Sequence, residues 1–247
     1  MQTPVLIKVG GHQINDAEFL TELAATIREL AAPVIVVHGG GVEITQMQQV
    51  MGVQPRYVNG LRFTDETSLS TVEMVLCGVV NKRVVRVLLN AGVDALGMSG
   101  VDRGLIRARP IAEDMGYTGE IVSVRGEIIR ELLAQGVTPV ISPVCLGEDS
   151  NFNVNADHVA GAVAAAVGAS QIVFLTNVEG VLIGEERAER LAEAHANDLI
   201  NNGTIFGGMI PKVKTALEVL NAGVPQAAIT NLTGLRSHGG TVFVREA

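Results

Sequence analysis

Short apolar runs alternate with longer amphipathic stretches along most of the chain. Residues 5–9, apolar except for Lys8, and residues 34–37 are runs of strand length, and the second is β-branched throughout, as is typical of a strand covered on both faces. Between them, residues 16–31 have the spacing of an amphipathic helix, for which Asp16 is a suitable N-cap. We predict further strands near 94–98, 139–142, 172–176, 227–230 and 241–244, and hairpins at 55–64 and 105–124. We predict helices at 41–51, 66–90, 127–134, 157–167, 185–201 and 211–220. Pro211 is suited to the first position of the last of these helices.

This alternation predicts an α/β protein, a three-layer α/β/α sandwich with a mostly parallel central sheet. Such sheets bind ligands beyond the carboxyl ends of their strands. Gly10 and Gly11 follow the first predicted strand, and Gly39 and Gly40 follow the second. We expect a single domain over residues 1–247, with lobes of about 1–150 and 151–247 that divide near the polar segment 147–151.

The amino-acid composition limits the kinds of partner that the protein can bind. The chain has 247 residues, of which 47% are hydrophobic and 18% charged, and this is typical of a globular protein with a sizeable core. A net charge of −8 and an aromatic content of 3% argue against a nucleic-acid partner, which needs basic surface and stacking rings. The apolar stretch 159–169 is too short to cross a membrane, and no basic leader segment precedes the first strand. We therefore expect a cytoplasmic protein without nucleic-acid or membrane partners.

Two glycine clusters lie close to lysines. Lys8 precedes Gly10 and Gly11, and Gly208 precedes Lys212 at a predicted helix start. Glycine lets a phosphate approach the backbone, a helix N-terminus presents free N–H groups to it, and an ammonium group neutralises its charge. The P-loop pattern is absent, and no Gly-x-Gly-x-x-Gly follows the first strand. The sequence thus predicts a phosphoryl-transfer enzyme with another phosphate-binding geometry.

Five motifs identify a family. They are Lys-Val-Gly-Gly at 8–11, His-Gly-Gly-Gly at 38–41, Asn-Gly-Leu-Arg-Phe-Thr-Asp at 59–65, Asn-Val-Asn-Ala-Asp at 153–157 and Gly-Gly-Met-Ile-Pro-Lys at 207–212. In this order, and over nearly the whole chain, they resemble the amino acid kinase family. The resemblance implies that family's fold, ATP as the donor with Mg²⁺ carried by the nucleotide, and the side-chain carboxylate of N-acetyl-L-glutamate as the acceptor. The product would be an acyl phosphate on the route to arginine.

The resemblance also implies roles for individual residues. It assigns catalysis to Lys8, Lys212 and Asp157, with Asp157 orienting both ammonium groups. The implied nucleotide-binding residues are Gly10, Gly11, Asn177 and Gly208, although the family usually has Asp at the position of Asn177. The implied substrate-binding residues are Gly39, Gly40, Arg62 and Asn153, with Arg62 suited to a bidentate grip on the α-carboxylate. Plain structural alternatives are an N-cap for Asp157, a surface salt bridge for Arg62 and tight turns for the glycines.

Two other functions remain open. One is a kinase whose aminoadipate or glutamate acceptor is attached to a carrier protein, and the other is a nucleotide-binding relative without catalysis. The acidic net charge disfavours the first, and the presence of both lysines with Asp157 disfavours the second. Hexameric, arginine-inhibited members of the family have an additional N-terminal helix, so we expect a homodimer without arginine feedback here. The apolar pattern over 72–89 fits either a dimer interface or complete burial in one subunit.

Overall fold

Strands and helices alternate over much of the chain, as the sequence predicts, and several short strands follow one another directly. A computed structural model describes residues 2–246. The strands are β1 Val5–Val9, β2 Val34–His38, β3 Tyr57–Val58, β4 Leu61–Arg62, β5 Ala95–Ser99, β6 Ile106–Pro110, β7 Thr118–Val124, β8 Thr138–Ser142, β9 Val144–Leu146, β10 Asn151–Val154, β11 Gln171–Leu175, β12 Leu182–Ile183, β13 Glu186–Arg187, β14 Arg190–Ala192, β15 Ala227–Thr230 and β16 Thr241–Val244. The α-helices are α1 Gly11–Ile14, α2 Ala17–Glu29, α3 Gly41–Val50, α4 Glu66–Glu73, α5 Asn81–Asn90, α6 Gly126–Ala134, α7 Ala156–Val167, α8 Glu193–Asn201, α9 Met209–Asn221 and α10 Leu232–Ser237.

Eight strands form the central sheet, in the order β14-β16-β15-β11-β1-β2-β8-β5. Its neighbouring strands are parallel except for β15 and β16. Successive residues of β1 face opposite layers: Leu6 joins a core cluster with α6, α7 and α9, and Ile7 joins one with α2, α3 and α5. The predicted three-layer α/β/α fold is therefore confirmed.

A small closed barrel of β10, β7, β6 and β9 adjoins the central sheet. Residues 147–150 of the polar segment form the turn between β9 and β10, which pair antiparallel, and Asn151 begins β10. Because α7 follows β10 directly, the barrel sets the position of the α7 N-terminus. That position determines where Asp157 lies.

Three local predictions need correction. Residues 185–192, predicted as helix, form β13 and β14, and the helix begins only at Glu193. The predicted helix 66–90 is helical throughout, but its middle, Met74–Val80, is a π-helix between α4 and α5. Pro211 is the third residue of α9 and not the first, because Gly208 is the N-cap; it still lies in the first turn, where no intrahelical acceptor faces its nitrogen.

The segment 72–89 is not completely buried in the subunit. Val75, Leu76 and Val84 belong to the core, whereas Met74 and Val79 are about half exposed. The alternative of complete burial within one subunit is therefore wrong for this helix. Separately, no helix within residues 2–246 has the length and apolar character needed to cross a membrane.

Candidate active site

The glycine segments that follow β1 and β2 touch each other backbone to backbone. A Cβ added to Gly11 would lie 3.0 Å from the Gly41 nitrogen, and one added to Gly40 would lie 2.5 Å from Cδ2 of Leu76. Both positions therefore need glycine because their surroundings leave no room for a side chain. We call residues 10–11 and 39–41 the glycine floor.

A cavity of about 260 Å³, here the central cavity, opens over the glycine floor at the carboxyl ends of β1 and β2. This is the edge at which a parallel sheet binds its ligands. The cavity brings together seven of the predicted site residues, which are Lys8, Gly11, Gly39, Gly40, Arg62, Asn153 and Asp157. Residues from β1, β4, β10 and α7 thus meet around one space.

Lys8 and Asp157 form an ion pair in this cavity. Lys8 Nζ lies 2.7 Å from Oδ1 of Asp157, and both side chains are partly buried. Asn155 is the N-cap of α7, since its side-chain oxygen accepts a hydrogen bond of 2.7 Å from the Asp157 N–H. The N-cap role considered for Asp157 is therefore wrong. Its carboxylate instead fixes the ammonium group of Lys8.

Arg62 is a buried cation, with 8% of its surface exposed. Its guanidinium donates to Gln48 Oε1 and, at 2.8 Å and 2.6 Å, to the hydroxyls of Thr45 and Tyr57. It also donates to the Gly41 carbonyl at 3.0 Å and lies 4.9 Å from the centre of the Tyr57 ring. These neutral partners fix the plane of the guanidinium and leave its charge uncompensated.

No carboxylate within the described chain lies within 4.0 Å of the Arg62 guanidinium, so the surface salt bridge considered for it is wrong. Burial lowers the pKa of Arg62, and the nearby Tyr57 hydroxyl partly opposes this. A buried cation without a counter-charge is costly unless an anion joins it. Arg62 therefore marks the part of the central cavity that suits an anionic ligand.

Hydroxyl groups hold the Arg62 backbone from the barrel side. Thr118 Oγ1 donates to the Arg62 carbonyl at 2.6 Å, and Thr64 Oγ1 donates to it at 3.1 Å. Asn153 Nδ2 donates to Thr64 Oγ1 at 3.0 Å. Asn153 thus lines the cavity and also belongs to the network that positions Arg62.

A second cavity of about 490 Å³, here the outer cavity, contains the predicted residue Asn177. Its other lining residues are mainly apolar, among them Val178, Leu182 and the largely exposed Phe206. Met209 also lines it, directly after Gly208, the N-cap of α9. The outer cavity therefore suits a largely apolar group close to a helix N-terminus.

Three predicted residues line neither cavity. Gly10 is the N-cap of α1, Gly208 is the N-cap of α9, and Lys212 Nζ donates to the Gly208 carbonyl at 3.5 Å. Among residues 2–246, no salt bridge joins Lys212 to Asp157. The structure pairs Asp157 with one of the two predicted lysines, Lys8.

Sequence reasoning missed the partners of Arg62. Tyr57 lies in the predicted hairpin and is one of only two tyrosines in the sequence. Its rarity and its closeness to Arg62 in sequence could have indicated it as a partner of Arg62. Gln48, Thr45 and Thr118 carry no such signal, because only tertiary packing brings them to Arg62. No group of three or more His, Cys, Asp or Glu side chains that could hold a metal is found in the part of the chain that the structure describes.

Known proteins resemble this chain in sequence and in fold. The sequence profile of the amino acid kinase family matches residues 3–231. An acetylglutamate kinase of Roseiflexus sp. (strain RS-1) is 52% identical over 242 residues, which are 97% of this chain and 93% of that protein. A solved structure from Streptococcus mutans UA159 is 28% identical with a TM-score of 0.84, and the match covers 100% of both chains. N-acetylglutamate synthase from Neisseria gonorrhoeae, complexed with coenzyme A and N-acetyl-glutamate, is 25% identical with a TM-score of 0.85, covering 99% of this chain and 60% of that one.

Proposed function

The chain belongs to the amino acid kinase family, and we propose that it transfers the γ-phosphoryl group of ATP to the side-chain carboxylate of N-acetyl-L-glutamate. The product is an acyl phosphate, an intermediate on the route to arginine. The observation that carries this proposal is the buried, uncompensated Arg62 in the same cavity as the Lys8–Asp157 pair. The name of the Roseiflexus relative supports the same acceptor.

The acceptor supplies its own nucleophile. A carboxylate is ionised at neutral pH, so that no general base is required. The obstacle is the repulsion between an anionic nucleophile and an anionic phosphoryl group, and catalysis therefore consists of positioning and electrostatic stabilisation. In this mechanism Arg62 binds the α-carboxylate, and Gly39, Gly40 and Asn153 orient the rest of the acceptor. Lys8, fixed by Asp157, then stabilises the charge on the transferring phosphoryl group.

The nucleotide occupies the outer side of the site in this proposal. The apolar outer cavity with Asn177 takes the base, and the N–H groups of Gly10, Gly11 and Gly208 bind phosphates. Lys212, in the first turn of α9, neutralises the charge that develops on the leaving β-phosphate. Mg²⁺ arrives on the ATP, since it prefers phosphate oxygens and water, and it supplies further charge neutralisation there.

We further propose a cytoplasmic homodimer, because ATP is available in the cytoplasm and the helical segment 72–89 exposes apolar side chains. Met74, Val79 and Leu89 are each about half exposed along this segment, and a partner subunit would cover them. In the same proposal the subunit has an acceptor lobe of about 1–150 and a nucleotide lobe of about 151–247. Size-exclusion chromatography with light scattering tests the assembly: a dimer is expected, and a hexamer contradicts it. Inhibition by arginine in an activity assay would also contradict it.

Turnover with a panel of acceptors tests the reaction. ADP release is followed with MgATP and, in turn, N-acetyl-L-glutamate, glutamate, aspartate and N-acetyl-aminoadipate, while hydroxylamine traps any acyl phosphate. We expect hydroxamate only with N-acetyl-L-glutamate. If ATP binds but none of these acceptors reacts, the free amino acid derivative is not the substrate and the proposal is wrong.

A further inference from the structure

His38 is a buried polar side chain that the proposed chemistry does not use. It ends β2 directly before Gly39, and its side chain has no exposed surface. One ring nitrogen, Nδ1, lies 2.9 Å from the Gly39 carbonyl oxygen, and the other, Nε2, lies 3.1 Å from Nδ2 of Asn81. The imidazole therefore links the glycine floor to the start of α5.

The surroundings of Asn81 fix the orientation of its amide. Lys82 Nζ lies 3.1 Å from Asn81 Oδ1, and an ammonium group can only donate. On the other side, Asn81 Nδ2 lies 2.9 Å from the Val140 carbonyl and 3.4 Å from the Met98 carbonyl, which can only accept. The amide nitrogen of Asn81 therefore faces His38.

This orientation fixes the tautomer of His38. Because the Asn81 amide nitrogen donates, Nε2 of His38 must be the acceptor, and the ring proton resides on Nδ1. The Nδ1–H then donates to the Gly39 carbonyl. Burial lowers the pKa of His38 to about 4, so the ring is neutral at physiological pH and has only this one N–H to give.

The hydrogen bond to Gly39 determines the direction of the next N–H group. All described peptide bonds are trans, and in a trans peptide the C=O of one residue and the N–H of the next point in opposite directions. The Gly39 carbonyl points into the protein towards His38, so the Gly40 N–H points away from it. Gly39 and Gly40 line the central cavity, whereas His38 does not.

We infer that His38 is a positioning residue, which holds the Gly39–Gly40 peptide so that the Gly40 N–H donates to the acceptor bound in the central cavity. Asn81 and Lys82 act indirectly, by keeping the imidazole of His38 in the required tautomer. The identity of the acceptor, N-acetyl-L-glutamate, rests on the proposed function. The orientation of the peptide rests only on the contacts of His38, Asn81 and Lys82.

Two matched substitutions separate this role from simple core packing. In H38N the amide nitrogen takes the place of Nδ1 and still donates to Gly39, but the contact with Asn81 is lost. In H38Q the longer side chain places its amide oxygen near the position of Nε2, where it accepts from Asn81, but Gly39 loses its donor. Each variant thus keeps one hydrogen bond of the imidazole and loses the other.

Steady-state kinetics distinguish the two. We expect H38Q to raise the KM for N-acetyl-L-glutamate about tenfold or more, as for loss of a hydrogen bond to a charged group, with the KM for ATP nearly unchanged. H38N should stay within about threefold of the wild type, because the Gly39 bond survives. The exposed His195 provides the control variant H195Q. Equal effects of H38N and H38Q on the acceptor KM, or a larger effect of H38N, would overturn the inference.

A measurement on the wild type covers the case in which H38Q does not fold. Nitrogen-15 NMR of the imidazole, with H38N used to assign its signals, should show a protonated Nδ1 and an unprotonated Nε2. Titration of N-acetyl-L-glutamate should then shift the amide signal of Gly40. The opposite tautomer overturns the inference whether or not the protein turns over. Lack of turnover in the wild type with the expected tautomer present rejects the proposed function instead.

Discussion

Asp157 places its carboxylate 2.7 Å from the Lys8 ammonium because Asn155, two residues earlier, caps the helix in its place. The pair joins the end of a central strand to the start of α7, and both residues line the central cavity. A lysine side chain is flexible, and an ion pair of this kind limits the positions of its charge. In the proposed mechanism the pair therefore sets where positive charge is available to a transferring phosphoryl group.

The first prediction concerns this pair. Lys8→Ala and Asp157→Asn should each lower kcat about 10²-fold or more, because each removes charge stabilisation or its positioning from the transition state. The double variant should lose much less than the product of the two single losses, since both act through the same ammonium group. Coupled ADP release measures the effects, with the exposed Lys214→Ala as control. Independent, multiplicative losses would contradict the assigned coupling.

The second prediction concerns Arg62. Arg62→Lys keeps the charge but loses the planar set of donors that Gln48, Thr45 and Tyr57 hold in place. The KM for N-acetyl-L-glutamate should rise about tenfold to 100-fold, with little change in the KM for ATP. Arg103→Lys, on the exposed surface beside Glu131, is the matched control. An increase confined to the KM for ATP would show that the assignment of Arg62 to the acceptor subsite is wrong.

The third prediction concerns pH and His38. Burial lowers the pKa of His38 from its ordinary 6.5 to about 4, and the nearby Lys82 charge acts in the same direction. Because the unfolded chain binds this proton more tightly, the contribution of His38 to stability is complete above pH 6.5 and is lost as the pH falls to 4. The free energy of unfolding should fall by about 3 kcal/mol over this window from this group alone.

Urea denaturation of the wild type and H38N between pH 4 and pH 7 checks the sign and size of this effect. Other groups titrate in both proteins, so the difference between the two curves isolates His38. As the pH falls, the free energy of unfolding of the wild type should decrease relative to that of H38N. Parallel curves would show that His38 does not carry the depressed pKa.

The fourth prediction concerns Gly40. A methyl group there would lie 2.5 Å from Leu76 Cδ2 and 3.3 Å from Val80 Cγ2, so that Gly40→Ala must displace the glycine floor or the π-helical segment. A shift of about 1 Å in a positioning group can cost about 10²-fold in rate, and we expect a loss of this order in kcat/KM. Gly78→Ala, where an added methyl group meets open space within the subunit in the same helical segment, should leave kcat/KM unchanged, provided that light scattering gives the same assembly as the wild type. Equal activity of the two variants would contradict the role of the floor.

The sequence predicted the sheet better than the connections. β2 was recognisable because 34–37 are β-branched and apolar, as a strand covered on both faces requires. Residues 185–192 were wrongly taken as helix because short polar strands at the edge of a fold have no apolar alternation to identify them. The π-helical turns at Met74–Val80 lie within a continuous helical pattern, and no residue there distinguishes the two helix types.

Site residues could be predicted where they belong to short, recognisable motifs. The glycines and Lys8 adjoin a strand end, so their position followed from the order of elements. The partners of Arg62 come from α3 and from the β3–β4 hairpin, and such contacts depend on packing between distant segments. The choice between Asn155 and Asp157 as N-cap was equally hidden, because both residue types cap helices well. The structure shows which of these residues lie together, and the roles assigned to all of them, Lys212 and Asn177 included, remain predictions.

A crystal structure of the protein with N-acetyl-L-glutamate and a non-hydrolysable ATP analogue would show directly whether Arg62 and Lys8 hold the acceptor. We expect the acceptor in the central cavity, with its α-carboxylate on the Arg62 guanidinium, its side-chain carboxylate facing Lys8, and the Gly40 N–H donating to it. An acceptor bound in the outer cavity, or bound in the central cavity without contact to Arg62, would show that the proposed acceptor site is wrong.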